Sequence, residues 1–175
     1  MTKRTAPKIV LQFTNKTCWA ASLESWLESA DKKRFKTQKE LVESFEKARQ
    51  SSKEPDRFDM DNPTLRAMVA GLGMTTQWVS EDDFAPWSIA KKLERSVLWV
   101  GFATERYSRW WHSVVLYGVE SPPRKSTEYY VMNPGAWPHI PKVQGLDIWE
   151  LRQFFRVDGE EALLGWQEGG PGRVL

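Results

Sequence analysis

Apolar positions in the first half of the chain recur at helical spacing. Trp19, Leu23, Trp26, Leu27 and Ala30 fall on one broad stripe, with Glu24, Glu28 and the serines elsewhere, which predicts a helix starting at or just before Cys18. Lys32, Lys33 and Arg34 follow it, where cations complement the negative end of the helix dipole. Thr37 and Glu40 stand at capping-box spacing ahead of Leu41, Val42, Phe45 and Ala48, predicting a second helix to about Gln50. Ser51 to Asp61 is polar, contains Pro55 and reads as a loop. Asn62 and Pro63 form a cap and first-turn pair for a third helix carrying Leu65, Met68, Val69 and Leu72, with an exit at Gly71 and Gly73. A fourth, short helix is expected from Trp87 to Leu93, with Ile89, Ala90 and Leu93 inward; Glu81, Asp82 and Asp83 before it read as a solvated turn.

The periodicity then changes. Val97 to Phe102 is a continuous apolar run, Ser113 to Val119 a second and Tyr129 to Met132 a third, all of strand character. The turn-rich stretch Ser121 to Ser126 makes the last two an antiparallel hairpin. Asp147 and Glu150 are expected to cap a final short helix bearing Ile148, Leu151, Phe154 and Phe155, and the tail from Gly165 on is expected to hold no regular structure. Helices first and sheet afterwards predict an α+β fold, in one domain spanning residues 1–175 with no internal repeat.

Composition narrows the function. The chain has 175 residues, 41% hydrophobic and 27% charged, the balance of a globular protein. Twenty-five basic against twenty-three acidic side chains leave a net charge of +2, too little for a partner bound mainly through phosphates, so no nucleic acid is expected. No stretch approaches the ~20 apolar residues of a membrane span, and Ile9 to Phe13 is too short for the core of a signal peptide. The expectation is therefore a protein made in the cytoplasm, with leaderless secretion as an effector left open. Gly71-Leu72-Gly73 has neither the Walker spacing nor a preceding strand, and Asn15-Lys16-Thr17 is a glycosylation sequon by pattern only. No cofactor and no metal are expected: one cysteine and two histidines are too few for a closed Cys/His zinc site without carboxylates, and a single cysteine forms no internal disulfide.

That scarcity concentrates the candidate chemistry. Cys18 falls in the first turn of its expected helix, where unpaired N–H groups and the dipole stabilise a thiolate and draw the thiol below its ordinary value. Of the two histidines, His112 immediately precedes a strand and can be aimed, whereas His139, between Pro138 and Pro141, reads as a surface loop residue. Asn133, at the end of the next strand of the hairpin, is placed to orient a histidine, although Asn133-Pro134-Gly135 is also an ordinary turn start. Gln12, six residues before Cys18, can bring an amide beside the Cys18 N–H to stabilise an oxyanion.

In this order, Gln12, then Cys18-Trp19-Ala20-Ala21, then His112-Ser113-Val114-Val115-Leu116-Tyr117-Gly118, then Tyr130-Val131-Met132-Asn133-Pro134, the sequence resembles the papain-like cysteine peptidases. It is more similar to their compact bacterial branch, the bacteriocin-processing peptidases and papain-like effector proteases of pathogenic bacteria, than to papain itself. The resemblance spans about Gln12 to Trp137. It implies a papain-like fold, a Cys18 nucleophile, a His112 base, an Asn133 orienter and Gln12 in the oxyanion hole, with Trp19, Trp111 and Trp137 on the substrate. It implies a protein or peptide substrate, and an inhibitor or a delivery partner as further partner classes. The sequence departs from papain proper in having Lys16-Thr17 before the cysteine and only 94 positions from Cys18 to His112, and from the compact relatives in having Trp111 where a glycine is common. Trp137 lies four residues after Asn133, where it would shield the His–Asn contact. Two alternatives stand beside the peptidase: an amidase, deamidase or transglutaminase on the same fold, and a catalytically silent peptide-binding module.

Overall fold

The computed structural model describes residues 1–14, 16–30, 34, 36–52, 63–103, 111–135, 145–155 and 161–167. Its elements are β1 (Thr2–Lys3), α1 (Cys18–Ala30), α2 (Gln38–Ser52), α3 (Pro63–Gly71), β2 (Met74–Ser80), α4 (Pro86–Leu93), β3 (Leu98–Ala103), β4 (Trp111–Glu120), β5 (Glu128–Asn133), β6 (Gly145–Trp149) and β7 (Glu161–Gln167). Single turns of 3-10 helix lie at Asp82–Phe84 and Leu151–Gln153. The protein is α+β, with helices in the N-terminal half and an antiparallel sheet drawn mostly from the C-terminal half. No helix among the described residues is long and apolar enough to cross a membrane.

The sheet has seven strands in the order β2-β7-β3-β4-β5-β6, with β1 paired to β4 beside Gly118 and Val119. Every pairing is antiparallel. Alternating residues of β3 explain its uninterrupted apolar run: Leu98, Val100 and Phe102 pack on one face with Ile89 and Leu93 of α4 and with Phe154, while Trp99 packs on the other with Leu23 and Trp26 of α1. A strand covered on both sides has no polar positions to show.

The helix α1 fills the span expected of it, but its polar side is not solvated. Ser22, Glu24 and Ser25 are buried, because α1 is enclosed by the sheet, by α2 and by the N-terminal segment. Each finds a partner: Ser22 Oγ accepts from Trp99 Nε1 at 2.7 Å, Ser25 Oγ donates to the Lys8 carbonyl at 2.6 Å, and Glu24 pairs with Lys8 at 3.3 Å. The capping box of α2 forms as expected. Thr37 N–H donates to Glu40 Oε2 at 2.7 Å and Glu40 N–H to Thr37 Oγ1 at 3.3 Å, and the helix runs two residues past Gln50. Asn62, Lys32, Lys33 and most of the expected loop after α2 lie outside the described residues, whereas Gly73 takes the left-handed conformation (φ +77°) that ends α3.

Two expectations fail. Residues 145–149 form a strand, not the start of a helix, because all five pair with β5, from Tyr129↔Trp149 to Asn133↔Gly145. Asp147 caps nothing helical; its carboxylate accepts from Ile148 N–H and Trp149 Nε1, each at 2.8 Å. The stretch around Gly165 is likewise a strand, β7, inserted between β2 and β3. Gly165 leaves room there for the Met74 side chain of the neighbouring strand, whose Sδ lies 2.2 Å from where a Cβ would stand. The remaining tail, from 168, lies outside the described residues, and β2 was not anticipated at all.

Candidate active site

The hairpin of β4 and β5 ends in a parting of its two strands. Their ladder runs from Glu120↔Glu128 to Val115↔Met132. Beyond Asn133 the chain continues with Pro134, which has no N–H to give, and the strands separate. The Pro134 carbonyl instead accepts the N–H of Gln12 at 2.8 Å. The sulfur of Cys18, the first residue of α1, occupies the stretch of β4 that β5 no longer pairs: Sγ lies 3.7 Å from the Trp111 carbonyl and meets the N–H of Ser113. It therefore sits against the strand on both sides of His112.

His112 and Asn133 are both completely buried. His112 donates its Nε2–H to Asn133 Oδ1 at 2.8 Å, and the same oxygen accepts Gly135 N–H at 3.3 Å. Two donors converging on Oδ1 fix the orientation of the carboxamide. The carboxamide in turn fixes the imidazole tautomer, with the proton on Nε2 and the ring's lone pair on Nδ1. Phe102, paired with His112 across the β3–β4 ladder, stacks edge-on against the ring at 5.7 Å.

Burial pushes the Cys18 thiol up from 9.0 to about 11, against the pull of the N–H groups of Ser113, Trp19 and Cys18 itself. The expectation of a depressed thiol is thus reversed. The start of α1 does aim donors at the sulfur, but only 3% of the residue is exposed, and loss of solvent outweighs them. Burial thus favours the neutral thiol over the thiolate.

Gln12 belongs to an extended segment in which Ile9, Leu11 and Phe13 face outward, Val10 is buried and Gln12 half-buried. Its carboxamide lies over Gly135, where only a hydrogen fits: a Cβ there would be 2.3 Å from Gln12 Cδ. Gln12 Oε1 is buried and accepts no hydrogen bond among the described residues. Gln38, the first residue of α2, holds the segment from the other edge through bonds to Leu11 and Phe13, and its own N–H donates to Glu24 Oε2 at 2.6 Å. Sequence reasoning missed Gln38 and Glu24. Nothing in a glutamine after a capping threonine announces that its side chain will serve another segment's backbone.

The structure thus gathers Gln12, Cys18, His112 and Asn133 around the parting strands. It does not bring Trp19 to an open surface: that ring is buried between α1 and α2, 5.2 Å from Phe45. Trp111 is half-buried and packs on Trp78 at 5.7 Å. Trp137 and His139 lie outside the described residues, and no group of three His, Cys, Asp or Glu among the described residues is gathered to hold a metal ion. No protein-family model matches the chain, and no curated protein matches its sequence.

Proposed function

We propose that the protein is a cysteine peptidase of papain-like architecture, with Cys18 as nucleophile, His112 as general base, Asn133 as its orienter and Gln12 as an oxyanion donor. The observation that carries this reading is the buried 2.8 Å hydrogen bond from His112 Nε2 to Asn133 Oδ1, on the very strand against which the sole cysteine packs. A histidine held in that tautomer has Nδ1 available to take a proton, which is what a neutral thiol requires.

In this mechanism His112 removes the Cys18 proton as the sulfur attacks the peptide carbonyl. The carbonyl π bond opens, and the resulting oxyanion is met by the Gln12 carboxamide and the Cys18 N–H. The imidazolium returns its proton to the departing amine, leaving a thioester. Water, deprotonated by His112, then releases the acid and restores the thiol. One oxyanion donor is typically worth about 10²–10³ in rate and acid–base action about 10²–10⁴.

The raised thiol and its near-complete burial favour a second reading, a silent peptide-binding module. Alkylation of Cys18 by iodoacetamide, followed against pH in wild type and His112→Ala, separates the two. A peptidase gives neutral-pH alkylation that depends on His112, together with digestion of a peptide library that disappears in Cys18→Ala. A single inflection near pH 11, indifferent to His112→Ala, with no digestion, overturns the peptidase.

A further inference from the structure

We propose that Gln38 is the positioning residue for Gln12: its buried side chain stands in for a neighbouring strand and fixes the backbone that carries the oxyanion donor. The inference rests on the reading of Gln12 given above.

Gln38 is 1% exposed. Its Nε2 donates to the Leu11 carbonyl at 3.0 Å, and its Oε1 accepts the Phe13 N–H at 3.0 Å. These are the carbonyl before Gln12 and the N–H after it, the pair that one residue of an adjacent strand would engage in a ladder. The opposite edge is occupied by the 2.8 Å bond from Gln12 N–H to the Pro134 carbonyl. Gln12 is therefore held on both edges like a residue inside a sheet, although the segment belongs to no strand. Gln38 is itself anchored, since its N–H is bound by Glu24 of α1, the helix that opens with Cys18. One short chain of bonds thus links the helix bearing the sulfur to the backbone bearing the donor.

The clamp bonds to backbone and makes no bond to the Gln12 side chain. Its oxygen is buried, without a hydrogen bond among the described residues, and the group is laid over Gly135, two residues beyond the histidine's orienter. An apolar residue in place of Gln38 would fill the volume, but it would strip partners from Leu11 and Phe13 and release the backbone that aims Gln12.

Two probes of Cys18 separate positioning from general packing. Acetylated dipeptide aldehydes add to the thiol: the C–S bond forms, the carbonyl π bond opens, and the thiol proton ends on the former carbonyl oxygen, which sits where the oxyanion would. Iodoacetamide alkylates sulfur with loss of iodide and makes no such oxygen. We expect Gln38→Ala to weaken aldehyde binding about 10- to 100-fold while alkylation stays within about twofold of wild type. The double variant with Gln12→Ala should bind aldehyde no more weakly than Gln12→Ala alone, because positioning acts only through Gln12. Gln38→Glu, which keeps the acceptor for Phe13 and loses the donor to Leu11, should fall between, and it carries the test if Gln38→Ala does not fold. Additive losses, equal losses with both probes, or unchanged aldehyde affinity in the Gln38 variants overturn the positioning role alone. Absence of any aldehyde adduct in wild type overturns the peptidase reading, and this role with it.

Discussion

At the scale of single residues, burial couples the ionisation of Cys18 to the fold. The folded protein holds the thiol proton more tightly than the unfolded chain, because the group moves from 9.0 to about 11. The associated stability is fully present below about pH 9 and is lost as pH rises through about 11. Between pH 8 and pH 11, wild type should lose about 2 kcal/mol more than Cys18→Ala, read from urea unfolding at the two pH values. Tyr129, pushed up to about 12 by burial, weakens the fold in the same direction, but it does so in both proteins and cancels from the comparison. Equal losses in the two proteins would show that the sulfur is solvated.

The element most instructive about the site is α2, whose first turn does two jobs. Its capping box satisfies the N-terminus, with the Glu40 carboxyl held below its ordinary value by the Thr37 N–H and hydroxyl. Its first residue clamps the segment around Gln12. Thr37→Ala should cost about 1 kcal/mol and should also speed hydrogen exchange at the Phe13 N–H, a residue far from it in sequence; exchange unchanged at Phe13 would separate cap from clamp. The cap was legible because Thr37 and Glu40 are local and their spacing is fixed by the helix. So were α1, α4 and the β4–β5 hairpin, and a chain with one cysteine and two histidines left few candidates for a site. What escaped was non-local. Ile148, Leu151 and Phe154 fit a helical period, yet pairing with β5 makes residues 145–149 a strand. Gly165 looked like a breaker and leaves room for Met74. The clamp is a side chain bonding to backbone, and backbone has no letter in the sequence.

Across the whole molecule, the first thirteen residues tie the layers together. Beyond the β1 pairing, Arg4 N–H donates to the Tyr117 carbonyl at 2.8 Å, and the Arg4 guanidinium donates to the carbonyls of Leu93 and Glu94 at the end of α4. Lys3 stands 3.8 Å over the ring of Tyr130, and the Lys8 carbonyl accepts from Ser25 of α1. Arg4→Ala should remove about 1–2 kcal/mol and lower Tm by roughly 4 °C, measured by calorimetry. An unaltered Tm would mean that β1 alone carries the attachment.

The wide separation along the chain of the residues around the His112–Asn133 bond also sets an order in time. The sulfur and the glutamine leave the ribosome ahead of the imidazole and its orienter, which follow only at 112 and 133. A nascent chain halted between Ser113 and Met132 carries the ring without the carboxamide oxygen that accepts from it. On the reading proposed above, translation is its own safety catch: the chemistry cannot be assembled until Asn133 has emerged.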